Sequence, residues 1–134
     1  MEKFNLSVNQ AKALNPLVLA YVGDAVHTLY VRQSLVLISD AKAGQLHTTA
    51  GKVVSAVNQS LLSDFVLPLL DDTEKEIYRR ARNAHSHSSA KNAELSDYKK
   101  ASGYEAVLGF LYLTGQEERL KKILSINEIT GENL

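Results

Sequence analysis

Apolar residues are concentrated in two long runs, Asn15–Arg32 (NPLVLAYVGDAVHTLYVR) and Ser102–Leu113 (SGYEAVLGFLYL). Asn15 and Pro16 suit the cap and the first turn of a helix, so the first run predicts a helix that continues to about Val36. Apolar side chains cover nearly every face of each run. We therefore expect both helices to be buried on most sides and to pack against each other at the centre of the molecule.

The remaining segments are shorter, and no stretch shows the sustained apolar–polar alternation of β-strands. The sequence therefore predicts an all-α protein of about six or seven helices, forming a single domain over residues 1–134 with its core at about 10–125. The further predicted elements are a short helix in Ser7–Leu14, two helices with a bend over Lys42–Leu70 after a cap at Ser39 or Asp40, a helix opened by a capping box from Thr73 to Glu76, and a last helix over Gln116–Ser125.

Each long run contains a single acid, Asp24 in the first and Glu105 in the second. No Lys or Arg lies one helical turn from Asp24, and Ala101 and Gly109 lie one turn from Glu105, so neither acid has an ion-pair partner on its own helix. Gly23, directly before Asp24, lets another backbone or a ligand approach. An ionised carboxylate in such surroundings needs a partner.

Two interpretations of these acids stay open on the residues alone. Hydrogen bonds or an Arg from elsewhere in the fold satisfy most buried acids, which would leave Asp24 and Glu105 as structural core residues. Alternatively, the two acids share one divalent cation, since hard cations such as Mg²⁺ take carboxylate oxygens.

Composition restricts the class of protein. The 134 residues carry no net charge and include no Cys, which excludes disulfides and thiolate metal sites. No run is typical of a signal peptide or a membrane span, so we expect a cytoplasmic protein without membrane contact. A neutral protein does not coat nucleic acid by bulk charge, so contact with RNA requires a local basic patch.

Such a patch lies between Arg79 and Lys100, where six Lys or Arg residues stand against Glu94 and Asp97 and leave a local charge of +4. The sequence predicts a helix with a basic end, then a polar loop, then the Glu105 helix, which opens at Asp97. One interpretation is a solvated helix end favoured by the helix dipole. The other is an arm that contacts phosphates, whose candidate residues are Arg79, Arg80, Arg82, Asn83, Lys91 and Asn92.

VGDAV in the first run and YEAVLGFLYL about 80 residues later resemble the two acidic blocks of the ribonuclease III catalytic domain, the first of which is roughly E-x-x-E-x-x-G-D-[AS]-V-L. Three acids of that family are replaced here, by Leu17, Ala20 and Ser102. With NPLVLAYVGDAV and the segment from RNAHS to KN, this reduced set resembles the compact Mini-ribonuclease III subfamily, which lacks a double-stranded-RNA-binding domain. The resemblance covers about residues 10–125.

The resemblance implies a helical homodimer whose two active centres line a valley between protomers. It implies a Mg²⁺-dependent endoribonuclease for double-stranded RNA with Asp24 and Glu105 as catalytic, metal-binding acids. It also implies a substrate, the paired stem of the 23S (large-subunit) ribosomal RNA precursor, with a ribosomal protein as a further partner that presents it. With three family acids replaced, we expect more water ligands and weaker metal binding.

The alternative is a non-catalytic RNA-binding or ribosome-associated helical dimer that has lost the full acidic set. A purely structural helical interaction module is a third interpretation, which would leave the two acids in the core. Retention of both Asp24 and Glu105 favours the enzyme.

Overall fold

The computed structural model describes residues 5–84 and 92–127, and within these ranges the chain forms seven α-helices and no strand. The predicted all-α class is therefore confirmed. Short 3-10 turns at Leu67–Leu69 and Ser125–Asn127 follow the fourth and seventh helices. In chain order, the helices are α1 (Val8–Lys12), α2 (Pro16–Ile38), α3 (Ala43–Val53), α4 (Ala56–Val66), α5 (Asp72–Asn83), α6 (Asn92–Leu113) and α7 (Glu117–Leu124).

Helix α6 forms the centre of the fold, and α2, α4 and α5 pack around it. Every residue from Tyr104 to Leu111 is buried except Glu105, which is half-buried. The largest contact of α6 is with α2. The prediction that the two long apolar helices pack against each other at the centre is therefore confirmed.

Helix α2 is buried along one side only, so the prediction that it is buried on most sides is wrong. Its buried residues recur about once per helical turn and are Leu19, Ala20, Gly23, His27, Val31 and Leu35. On the other side, large apolar side chains such as Val18, Tyr21 and Leu29 are exposed in the single chain. The apolar pattern of a helix shows which surfaces avoid water, but it does not show whether the same chain or another molecule covers them.

Several helix starts follow the sequence prediction. Asn15 caps α2 through a 2.8 Å bond from the Leu17 amide, and Ser7 and Gln10 form a capping box on α1. Helix α3 breaks off at Val53 and α4 begins at Ala56, which confirms two helices with a bend. Helix α7 confirms the last predicted helix.

Three predicted starts are wrong. The cap of α5 is Asp71 with Glu74 as its capping-box partner, not Thr73 with Glu76. Arg119 Nη2 from α7 lies 2.7 Å from Oε1 of the buried Glu74 and holds this carboxylate where it accepts from the Asp71 amide. No side chain caps α3, because the Ser39 hydroxyl instead accepts from the Ala41 amide. Helix α6 begins at Asn92 rather than Asp97.

Helices long and apolar enough to cross a membrane are absent from the part of the chain that the structure describes.

Candidate active site

An open cleft of about 340 Å³ lies where α2, the start of α4 and α6 meet. Asp24 and Glu105 both line it, with the buried amide side chain of Gln59. Tyr21 and Tyr98, both exposed, also line the cleft. The structure thus brings together the two acids that the sequence singled out, and it leaves Asp24 exposed to the cleft rather than buried.

Two glycines bring the backbones of α2 and α6 into contact beside the acids. A Cβ atom on Gly23 would lie 1.6 Å from the backbone oxygen of Glu105, and one on Gly109 would lie 1.9 Å from the backbone oxygen of Leu19. Gly23 directly precedes Asp24, so this approach sets Asp24 beside Glu105. The prediction that Gly23 admits another backbone is confirmed.

The side chains of Glu105 and Asp24 are neighbours in this cleft. The pKa of Glu105 is raised from 4.5 to about 8, mainly by burial and further by hydrogen bonding with Asp24 and by the charge of Asp24. A hydrogen bond from Gln59 acts in the opposite direction, because an amide N–H stabilises the ionised carboxylate. At neutral pH the raised pKa therefore favours the protonated form of Glu105, which can donate to the adjacent Asp24.

The donor set of the cleft fits a hard divalent cation. The pair offers only carboxylate oxygens, and ionisation of Glu105 places a negative charge beside a second carboxyl group, which a divalent cation would neutralise. Among the described residues there is no cluster of three or more His, Cys, Asp or Glu side chains. Water would therefore complete the coordination of an ion held by Asp24 and Glu105.

The replaced family positions lie in the same cleft. Leu17, Ala20 and Ser102 all line it together with the two acids. The structure thus places three non-acidic side chains beside the acid pair.

The basic residues near the end of α5 have different surroundings. Arg79 and Arg82 are exposed, and Arg82 Nε donates to Asn83 Oδ1 at 3.3 Å. Arg80 is half-buried, and its Nη1 donates to the backbone carbonyl of Lys12 at 2.8 Å, which ties α5 to α1. Lys91 lies outside the described residues, and Asn92 is the first residue of α6.

Sequence reasoning missed Gln59. On α4 it lies on the same buried side as Leu62, Ser63 and Val66, at the helical spacing of those core residues. A long polar side chain on a stripe otherwise made of small or apolar residues was the available signal, although it does not reveal that Gln59 lines the same cleft as Glu105.

Comparison with protein families gives a match to the Ribonuclease III domain over residues 17–116, a range that contains both acids. Two curated relatives are both described as Mini-ribonuclease 3. That of Staphylococcus aureus is 45% identical, with 90% of this chain and 92% of the relative covered. That of Streptococcus pneumoniae is 42% identical, with 88% of this chain and 95% of the relative covered.

The fold is also similar to a solved structure. The crystal structure of a Fusobacterium nucleatum protein superposes with a TM-score of 0.75 and is 32% identical. The superposition covers 85% of this chain and 91% of the other.

Proposed function

The chain belongs to the ribonuclease III family and is an endoribonuclease that acts on double-stranded RNA, and we propose that Asp24 and Glu105 are the acids that hold its catalytic Mg²⁺. The family is generally metal-dependent. The observation that carries the proposal is that Asp24 and Glu105 line one open cleft side by side, where a divalent cation could replace the proton that the raised pKa of Glu105 retains.

When bound, a divalent cation activates water for attack on a phosphodiester and neutralises charge on the phosphate and the leaving oxygen. The chain's own contribution is positional. Asp24 and Glu105 would hold the ion through their carboxylate oxygens, after Glu105 gives up its proton. Gln59 stabilises the ionised form of Glu105 by hydrogen bonding. The cleavage products would carry a 5′ phosphate and a 3′ hydroxyl.

A homodimer is part of this proposal, and the exposed apolar side of α2 supports it. Val18, Tyr21, Leu29 and Val36 all project from that side, and Tyr21, 81% exposed, also borders the cleft of Asp24. A second copy seated there would cover this surface and bring two acid pairs to one valley, one for each strand of a duplex.

Sedimentation velocity tests the dimer. The parent protein should sediment as a dimer and Leu29→Asp as a monomer, because the carboxylate would be buried without a partner. Val8→Asp is the matched control, since Val8 is also an exposed apolar residue but lies in the first turn of α1, where an acid is tolerated. A parent that sediments as a monomer would contradict the dimer.

Cleavage of a duplex RNA tests the acid assignment. Parent, Asp24→Asn and Glu105→Gln are compared with and without Mg²⁺, and Glu118→Gln, which removes an exposed acid from α7, is the control. We expect both site variants to lose about a hundredfold or more in rate while the control cuts like the parent. Cleavage by Asp24→Asn at the parent rate with Mg²⁺ present would show the assignment to be wrong.

We further propose that the natural substrate is the paired stem of the large-subunit ribosomal RNA precursor and that cleavage takes place in the cytoplasm. The resemblance to the subfamily supports this substrate, and presentation of the stem by a ribosomal protein stays a prediction. Sequencing of ribosomal RNA ends from cells that lack the protein tests the substrate. Unaltered precursor ends would exclude it and leave the nuclease chemistry intact.

A further inference from the structure

His27 lies fully buried on α2, one turn after Asp24, and both of its ring nitrogens are hydrogen-bonded. Its Nε2 lies 2.7 Å from Oδ1 of Asn127, and its Nδ1 lies 3.0 Å from Nε2 of Gln59. The rings of His27 and Tyr104 meet edge to face, with their centroids 5.1 Å apart. One imidazole therefore joins α2, α4, α6 and the Ser125–Asn127 turn.

The backbone carbonyl of Leu124 fixes the direction of these hydrogen bonds. A carbonyl can only accept, so the Asn127 atom 2.7 Å from it is the amide nitrogen, which also donates to the Tyr104 hydroxyl at 3.1 Å. Oδ1 of Asn127 therefore faces His27 and accepts the proton on Nε2. Nδ1 then carries the lone pair, and it accepts from the Gln59 amide. Burial lowers the pKa of His27, which keeps the imidazole in this neutral form.

The amide nitrogen of Gln59 has a second proton, Gln59 and Glu105 line the same cleft, and hydrogen bonding from Gln59 lowers the pKa of Glu105. This places one nitrogen between the imidazole and the acid. The opposite amide orientation would set an oxygen against the Glu105 carboxylate and repel its ionised form. The neutral tautomer of His27 therefore decides that Gln59 presents an N–H to Glu105.

We propose that His27 and Asn127 are positioning residues that act through Gln59 to hold the Glu105 carboxylate in the orientation that binds the divalent cation. The inference rests on the proposed function. The inference also extends that function to a distant part of the chain, because Asn127 lies 100 positions from His27 and belongs to the turn after α7. Docking of that turn against the core thereby determines the geometry of a metal site built from α2 and α6.

Binding of Mn²⁺, followed by electron paramagnetic resonance of the free ion, tests the inference without RNA or catalysis. His27→Phe keeps an aromatic ring beside Tyr104 and removes both nitrogens, and Asn127→Ala removes the far end of the network. Tyr78→Phe is the matched control, because it deletes a buried 2.6 Å hydrogen bond to Ser63 that has no link to the acids.

We expect His27→Phe and Asn127→Ala to bind Mn²⁺ about tenfold more weakly than the parent. Tyr78→Phe should bind like the parent, although it also loses thermal stability. In duplex cleavage, the two network variants should keep the parent KM for RNA and lose kcat at low metal concentration. That loss should be recovered when the metal is saturating, which a merely structural role would not produce.

A further variant, Gln59→Leu, tests whether the residues act in series. If Asn127 acts through Gln59, the double variant Gln59→Leu, Asn127→Ala should bind Mn²⁺ no more weakly than Gln59→Leu alone. If the two substitutions instead reduce the affinity for Mn²⁺ additively, Asn127 does not act through Gln59. This comparison, like Asn127→Ala by itself, decides the question even where His27→Phe does not fold.

Parent affinity for Mn²⁺ in both Asn127→Ala and His27→Phe would overturn the inference and leave the proposed function standing, provided that Glu105→Gln abolishes the binding. A parent protein that binds no Mn²⁺ through Glu105 would overturn both.

Discussion

At the level of single residues, Glu105 is the most informative side chain of the site. It is half-buried, it lines one cleft with Asp24 and Gln59, and its pKa is raised to about 8. A carboxyl group that stays protonated at neutral pH is costly to ionise in the folded chain. The metal-free protein therefore becomes less stable as this proton leaves.

The pH dependence of stability follows with a definite sign. Between pH about 4.5 and about 8 the folded chain keeps the Glu105 proton that the unfolded chain has lost, so this residue makes the free energy of unfolding fall as pH rises, by at most about 1.4 kcal/mol per pH unit. Glu105→Gln should remove that slope. Urea denaturation in the presence of a chelator measures it, with Glu118→Gln as the control that keeps the slope. Equal slopes in the parent and Glu105→Gln would contradict the raised pKa of Glu105.

The sequence pointed to Asp24 and Glu105 because each is the single acid in an apolar run, which is a rare and costly arrangement. It could not point to Gln59 or His27 in the same way. An uncharged polar residue on a buried stripe has many structural explanations, and the choice among them depends on tertiary neighbours such as Asn127, which lies far away in the chain.

At the level of helices, the crossing of α2 and α6 determines the site. Their backbones meet at Gly23 and Gly109, where even a methyl group would collide with a backbone oxygen. The sequence showed a glycine next to one acid and another one turn after the other acid. It did not show that the two glycines face each other, since the register between helices far apart in the chain is a tertiary property.

Substitution of single glycines by Ala tests this crossing. Gly109→Ala should destabilise the protein by about 1–3 kcal/mol or more, because the helices must separate. Gly51→Ala is the matched control on α3, where the added methyl group meets nothing within 4 Å, and it should stabilise by up to about 1 kcal/mol through helix propensity. Thermal or urea denaturation measures both variants. A Gly109→Ala protein as stable as Gly51→Ala would contradict the close approach of the two backbones.

Across the molecule as a whole, the apolar patterns predicted the positions of the helices well. They predicted less well which helix surfaces are buried within the chain. The same apolar composition that predicted α2 to be buried on most sides leaves Leu29 and Val36 exposed in the single chain. The basic segment near the end of α5 shows a similar limit. Charge counting grouped three arginines, and the fold divides them, since Arg80 bonds the α1 backbone while Arg79 and Arg82 are exposed.

This division predicts different effects of the arginines on RNA binding. The double variant Arg79→Ala, Arg82→Ala should weaken duplex binding and reduce the log–log salt slope by up to about 0.9 for each phosphate that is no longer neutralised. Arg80→Ala should lower the melting temperature, because it frees α1, and leave the salt slope unchanged. Binding titrations over a salt series measure both effects. If the double variant keeps the parent slope, the basic cluster is only a solvated helix end.

The acid pair of Asp24 and Glu105 is expected to hold one proton without metal and a divalent cation in its place. Calorimetric titration of Mg²⁺ at pH about 7, in two buffers of different ionisation enthalpy, tests both halves of this exchange at once. We expect release of close to one proton for each ion bound to the parent, since the pKa of Glu105 is about 8. Glu105→Gln should bind far more weakly and release none. Binding by the parent without proton release, at an affinity that Glu105→Gln shares, would contradict the exchange.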